Sequence, residues 1–164
     1  MSAICKSYEE EIDRLEEELK FAYLAGLIDS KGVFQVLEKN EKKGVNKGLE
    51  TKLVIYESSN KIFNWLKRNF KGSIKKNKNR YDQKKQVFYF LFLSNELFEV
   101  SKKTLPYLIE KKESCRLMIE LRKTFKNRHK KGHQGVCQLS DDIIKERKKI
   151  LKKWKKLDKV ERGL

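Results

Sequence analysis

Apolar residues recur at helical spacing near the start of the chain. Ile12, Leu15, Leu19 and Ala22 fall on one side, which predicts a helix over roughly residues 8–29. Its last part, Phe21-Ala22-Tyr23-Leu24-Ala25-Gly26-Leu27-Ile28, is apolar all round, the pattern of a helix buried on more than one side. Ala22 and Gly26 stand four apart, and small residues at that spacing let a second helix come close. Gly32 closes the segment. From Val33 to Lys39 the period drops to two, with Phe34 and Val36 on one face and Gln35, Leu37 and Lys39 on the other, so a strand follows. After a polar stretch from Glu41 to Gly48 comes a second strand, Leu49 to Tyr56. It puts Leu49, Thr51, Leu53 and Ile55 on one face and Glu50, Lys52, Val54 and Tyr56 on the other. Ser59 stands as N-cap before a helix of residues 60–70 with Ile62, Phe63, Leu66 and Phe70 as its buried stripe.

The second half continues the alternation. Lys71 to Arg80 is glycine-led and basic, a strand running into a hairpin tip. Val87 to Ser94 is aromatic and aliphatic without a break, hence a well-buried strand. Asn95 to Lys103 is a short helix, Pro106 opens a new region, and residues 110–126 form a helix on Cys115, Met118, Ile119 and Phe125. Asn127 to Gln138 is a basic loop, and Ser140, Asp141 and Asp142 cap a last helix with Ile143, Ile150, Trp154 and Leu157 as its stripe. The expected class is α+β in the order αββαββα with an antiparallel sheet, followed by a basic C-terminal helix. No repeat divides the chain, so residues 1–164 read as one domain, with a core over about 8–127 and a basic loop and helix over 128–164.

Charge narrows the partners. The chain of 164 residues carries 40 Lys+Arg against 23 Asp+Glu, a net +17, which points to a polyanion. At 38% hydrophobic and 10% aromatic it can still bury a core, which excludes wholesale disorder. The longest apolar run, Val87 to Leu93, is too short to span a bilayer, and the first twenty residues carry no secretory pattern. Cys5, Cys115 and Cys137 are odd in number and far apart, which suits reduced thiols in an intracellular setting, cytoplasm, nucleoid or organelle matrix. The first twenty residues hold seven acids against three bases, so that helix should lie away from phosphate. Between Lys145 and Lys156, eight residues of twelve are basic.

The segment Leu24-Ala25-Gly26-Leu27-Ile28-Asp29-Ser30-Lys31-Gly32 resembles the signature of the LAGLIDADG homing endonucleases at seven of nine positions. The element order over roughly residues 20–127 is similar to that family's, and Leu105-Pro106-Tyr107-Leu108 followed by Lys111-Lys112 resembles its second landmark. A single motif copy at this length resembles the homodimeric members. The resemblance implies a saddle-shaped sheet over double-stranded DNA and motif helices packed at a dimer centre, with Ala22, Ala25, Gly26 and Asp29 at that interface. It implies DNA contacts from Gln35, Leu37, Lys39, Glu50, Lys52, Lys75, Asn77 and Arg80; Lys130, Lys131 and His133 of the basic loop, by their charge, add expected phosphate contacts. A strand of eight residues spans about 26 Å, or about eight base pairs per subunit, so a dimer should prefer a long pseudo-palindrome.

One position departs from the pattern. The family's metal-binding carboxylate occupies the eighth motif position, which here is Lys31. Cleavage of this kind needs carboxylate oxygens to hold a divalent cation at the scissile phosphates, and an ammonium has no lone pair to give. Asp29 lies about 200° round the helix from position 31 and cannot take over. The resemblance places Glu57 where a polar side chain positions water, Lys111 where a base stabilises phosphate, and the Ser30 carbonyl beside the metal. The sequence therefore predicts a homodimeric, sequence-specific DNA-binding protein with cleavage lost or impaired, Lys31, Glu57 and Lys111 at the former catalytic centre, and no bound metal. Magnesium enters only if cleavage is retained. The rival readings are an active magnesium-dependent endonuclease with Glu57 as a ligand, an intron RNA-splicing maturase, and a regulatory DNA-binding protein.

Other constellations are weaker. His129, His133 and Cys137 have ligand chemistry, but a structural zinc site wants four ligands, and Gly132 and Gly135 argue for a loop that contacts phosphate. Trp65 and Trp154 sit on apolar stripes and read as core. No membrane partner is expected.

Overall fold

A computed structural model describes residues 3–39, 48–78, 86–126 and 140–161. The chain begins with α1 (Ala3–Lys31), then β1 (Gly32–Lys39), β2 (Gly48–Glu57), α2 (Asn60–Asn69), β3 (Ser73–Lys78), β4 (Gln86–Leu93), α3 (Ser94–Thr104), α4 (Lys112–Lys126) and α5 (Asp141–Glu161). The four strands form one antiparallel sheet in the order β1-β2-β4-β3. This is the expected α+β architecture, with α1 longer at both ends than the apolar pattern alone indicated.

Register explains which side is covered. Phe34 pairs with Leu53, Leu53 with Phe92, and Ile55 with Phe90, so these side chains form one inward row. Against them pack Leu24, Ala25 and Ile28 of α1, Leu66 of α2, Leu97 of α3, and Cys115, Met118 and Leu121 of α4, all buried. The opposite row, including Gln35, Leu37, Glu50, Lys52, Tyr56 and Lys75, faces away from this core. Val54 belongs to that outer row yet is only 3% exposed, because its cross-strand neighbours Val33 and Leu91 are apolar and close over it.

Two glycines are required by close approach. A Cβ on Gly32 would stand 2.7 Å from the Ile28 carbonyl oxygen, so only glycine lets the chain pass straight from α1 into β1. A Cβ on Gly72 would stand 2.0 Å from Cε1 of the buried Phe90 ring, which fixes how β3 enters the sheet. At the other end, α5 is seated on α4 by Ile150, Trp154 and Arg147. The Arg147 guanidinium donates to the Thr124 hydroxyl at 2.9 Å and the Thr124 carbonyl at 3.0 Å, and lies over the Phe125 ring. Trp154 is buried there, and Trp65 packs on the core and edge-on against Tyr23, so both tryptophans are structural as expected. No helix of the described residues is long and apolar enough to cross a membrane.

Candidate functional site

The last turn of α1 delivers Ile28, Asp29, Ser30 and Lys31 to the end of β2, where Glu57 stands. Glu57 follows Ile55 on the inward row, which is why a carboxylate there is buried, its side chain 2% exposed. Lys31 reaches it across the α1–β1 junction, Nζ to Oε2 at 2.6 Å. The other oxygen, Oε1, accepts the backbone N–H groups of Ser58 at 2.7 Å and Ser59 at 3.1 Å. The Lys31 hydrogen bond is the largest influence on this carboxyl and, with the two amides, outweighs burial, holding it below the usual carboxylate range. Ser59 occupies the N-cap of α2 as expected, but its side chain makes no capping bond; its amide is tied to Glu57 instead.

Asp29 and Lys111 form a second arrangement on the same turn. The Asp29 carboxylate accepts the backbone N–H of Ile109 at 2.8 Å and of Lys111 at 2.9 Å, one on each oxygen. Lys111 returns the contact, its ammonium donating to the carbonyls of Ile28 and Asp29 at 2.9 Å each. These are carbonyls at the C-terminus of α1, where a cation answers both orphan acceptors and the helix dipole. Burial pushes the Lys111 ammonium below its ordinary value, against the pull of Glu161 and Asp29. Asp29, expected at a dimer face, thus has its carboxylate engaged within the chain. Ser30 is likewise turned inward on its helix, its hydroxyl donating to the Gly26 carbonyl at 2.8 Å.

The other residues singled out by sequence divide clearly. Gly26 is exposed with nothing near a would-be Cβ, Ala22 is half-buried, and Leu15, Leu19 and Tyr23 continue this uncovered face of α1. Ala25 corrects the expectation: it is wholly buried in the chain's own core, because it lies on the side of α1 that packs against the sheet. Gln35, Leu37, Glu50, Lys52 and Lys75 share the outer sheet row, and Lys39 and Asn77 share it by register. Tyr56 and Tyr89, which the sequence reading did not single out as site residues, are cross-strand neighbours in this row, ring centroids 5.9 Å apart. Arg80, Lys130, Lys131 and His133 lie outside the described residues, as does the His129, His133 and Cys137 set.

The donor set does not suit a divalent cation. Lys31 offers no lone pair, and both Glu57 oxygens are already engaged. Among the described residues no group of three or more His, Cys, Asp or Glu side chains could hold a metal ion.

No family model and no curated protein sequence matches the chain. Solved structures do. The homing endonuclease I-CvuI, in complex with its target in the presence of calcium, aligns with a TM-score of 0.57 and 19% identity over 83% of this chain and 97% of its own. The archaeal intron-encoded homing endonuclease I-Vdi141I, complexed with DNA, aligns with a TM-score of 0.57 and 16% identity over 82% of this chain and 98% of its own. The LAGLIDADG homing endonuclease I-SmaMI, bound to cleaved DNA, aligns with a TM-score of 0.57 and 14% identity over 79% of this chain and 42% of its own. The fold of the chain is that of these endonucleases.

Proposed function

We propose that this chain binds double-stranded DNA in a sequence-specific manner as a homodimer, and that phosphodiester cleavage is impaired in it. The fold supports the DNA partner, since similar structures hold their DNA targets, and so does the net charge of +17. The outer sheet row offers amide, carboxylate and ammonium groups of the kinds that read base edges and phosphates. The uncovered face of α1, with Ala22 and Gly26 at its closest-packing positions, supports pairing of two copies there.

The observation that carries the impaired cleavage is the Lys31–Glu57 contact at 2.6 Å. By the motif resemblance, position 31 is where a carboxylate would hold the catalytic cation. An ammonium there repels a cation and attracts a phosphate, so it favours holding DNA over hydrolysing it. Glu57 cannot replace the missing ligand while one oxygen takes Lys31 and the other takes two amides. Lys111, beside them, adds a second positive charge toward phosphate, with one of its three N–H groups still uncommitted.

The test is selection of bound duplexes from a randomised pool at about 150 mM salt, where nonspecific phosphate binding is weak. A long pseudo-palindrome should be enriched. The native chain should leave that duplex intact with magnesium, and a Lys31→Asp, Glu57→Gln variant should gain cutting. No enrichment, with tight binding of folded intron RNA instead, would replace DNA by RNA as the partner. Native nicking that Glu57→Gln abolishes would make the protein an active endonuclease with Glu57 as a ligand.

A further inference from the structure

The outward side of α5 is a continuous lysine surface that the sheet does not share. Lys145, Lys148, Lys149, Lys152, Lys153, Lys155, Lys156 and Lys159 are all exposed. At 3.6 residues per turn their stems fall within an arc of about 160°. Asp141 and Asp142 sit in the first turn, where they answer the helix N-terminus, while Glu146, Asp158 and Glu161 fall outside the arc. From Lys145 to Lys159 the helix rises about 21 Å, equal to about six base pairs of duplex. Such a face places like charges at i,i+3 and i,i+4 along its whole length, an arrangement unfavourable for a free helix and relieved by a polyanion.

Its place in the fold selects the polyanion. Lys155 lies 3.0 Å from Glu38, near the end of β1 that is farthest from the motif turn. Glu38 belongs to the inward row, so α5 stands on the helix side of the sheet, and on the reading proposed above it would meet duplex where this extends past that end of β1. The apolar side of α5 is closed, with Ile150, Trp154 and Arg147 buried, so no apolar face remains to enter a bilayer.

We infer that the α5 lysine face is a second DNA-contacting surface, one that grips the phosphates of duplex flanking the sheet-bound site and contributes affinity without sequence preference. This rests on the DNA-binding reading proposed above. Phosphate contacts position and base contacts specify, so the two surfaces are separable by experiment.

The test replaces Lys145, Lys148, Lys152 and Lys156 together by glutamine and measures binding against salt, on the selected duplex and on one of unrelated sequence. A second variant removes four charges elsewhere, with Lys61, Lys67, Arg116 and Lys123 replaced by glutamine. Circular dichroism and melting confirm that both are folded. If all four α5 lysines of each subunit meet phosphates, eight in the dimer, the slope of log K against log salt becomes shallower by about seven on both duplexes. The control slope stays near native, and the selected sequence is unchanged. A slope unmoved by the α5 substitutions, or moved as much by the control, overturns the inference. A shift in the selected sequence overturns it too, because the helix would then be reading bases. Failure to select any sequence removes the reader function, while the slope on the unrelated duplex still decides the role of α5.

Discussion

Glu57→Gln isolates the charge at the centre of the site while keeping its shape. The amide oxygen of glutamine can still accept from Ser58 and Ser59, so only the contact with Lys31 changes. A charge-assisted hydrogen bond contributes about 1.5–3 kcal/mol when well protected. Lys31 is 46% exposed, so its released ammonium is quickly hydrated, and the lower end of that range, about 1.5 kcal/mol, is the expected loss near neutral pH. For a chain of this size the melting temperature should fall by roughly 3–6 °C. The pH dependence sharpens the test. The Glu57 carboxyl is held below its ordinary value of 4.5, chiefly by Lys31, so its stabilisation is complete above that value and disappears as pH falls through the folded one. Glutamine does not titrate. The gap between native and variant should therefore be open at neutral pH and close in acid, in melts run at one protein concentration. Equal stabilities at neutral pH, or a gap that persists unchanged in acid, would refute the assignment of Glu57 as an ionised partner of Lys31.

Three further outcomes follow from the packing. Gly26→Leu should leave the fold intact, since nothing stands within 4 Å of a Cβ there, yet abolish self-association in sedimentation; a persisting dimer would place the interface elsewhere. Gly72→Ala should cost about 1–3 kcal/mol in denaturant unfolding, because its Cβ would meet a fully buried Phe90 ring, and a neutral result would show that β3 shifts freely. Cys115 is wholly buried, and burial pushes its thiol up to about 12, so thiol reagents near neutral pH should label its peptide only as the chain unfolds. Rapid native labelling, read by peptide mass, would contradict that.

Periodicity carried most of the fold. The two-residue alternation of Phe34 and Val36 against Gln35 and Leu37 set both the strand and its buried side, whereas the second strand was expected to stop at Tyr56 and the structure carries it one residue further, to Glu57 on the inward row. It failed at Val54, which alternation puts outward and apolar cross-strand neighbours bury; pairing partners are not visible along a single strand. The motif turn was legible as a unit, but the engagement of Asp29 was not. Its partners, the amides of Ile109 and Lys111, are some eighty positions away, and backbone donors leave no trace in residue identity. Ala25 shows the limit of an all-apolar segment: when every side of a helix is apolar, the pattern cannot say which side meets the chain's own core. The basic character of α5 was plain, whereas its anchoring through Arg147 to Thr124 was not: helical spacing puts Arg147 on the stripe of Ile143, Ile150 and Trp154, but the partner it meets on α4 is distant in sequence.

The Lys31–Glu57 contact also constrains the order in which the two positions can change. A single change that places a carboxylate at position 31 sets it beside an existing buried carboxylate, removing an attraction and adding a repulsion in one step. Replacing Glu57 first by glutamine leaves a neutral side chain and an exposed lysine, a gentler intermediate. If position 31 is the carboxylate position that the motif resemblance implies, a route to a cation-holding centre is easier when it changes residue 57 before residue 31. A directed-evolution campaign for cleavage would be expected to fix its substitutions in that order.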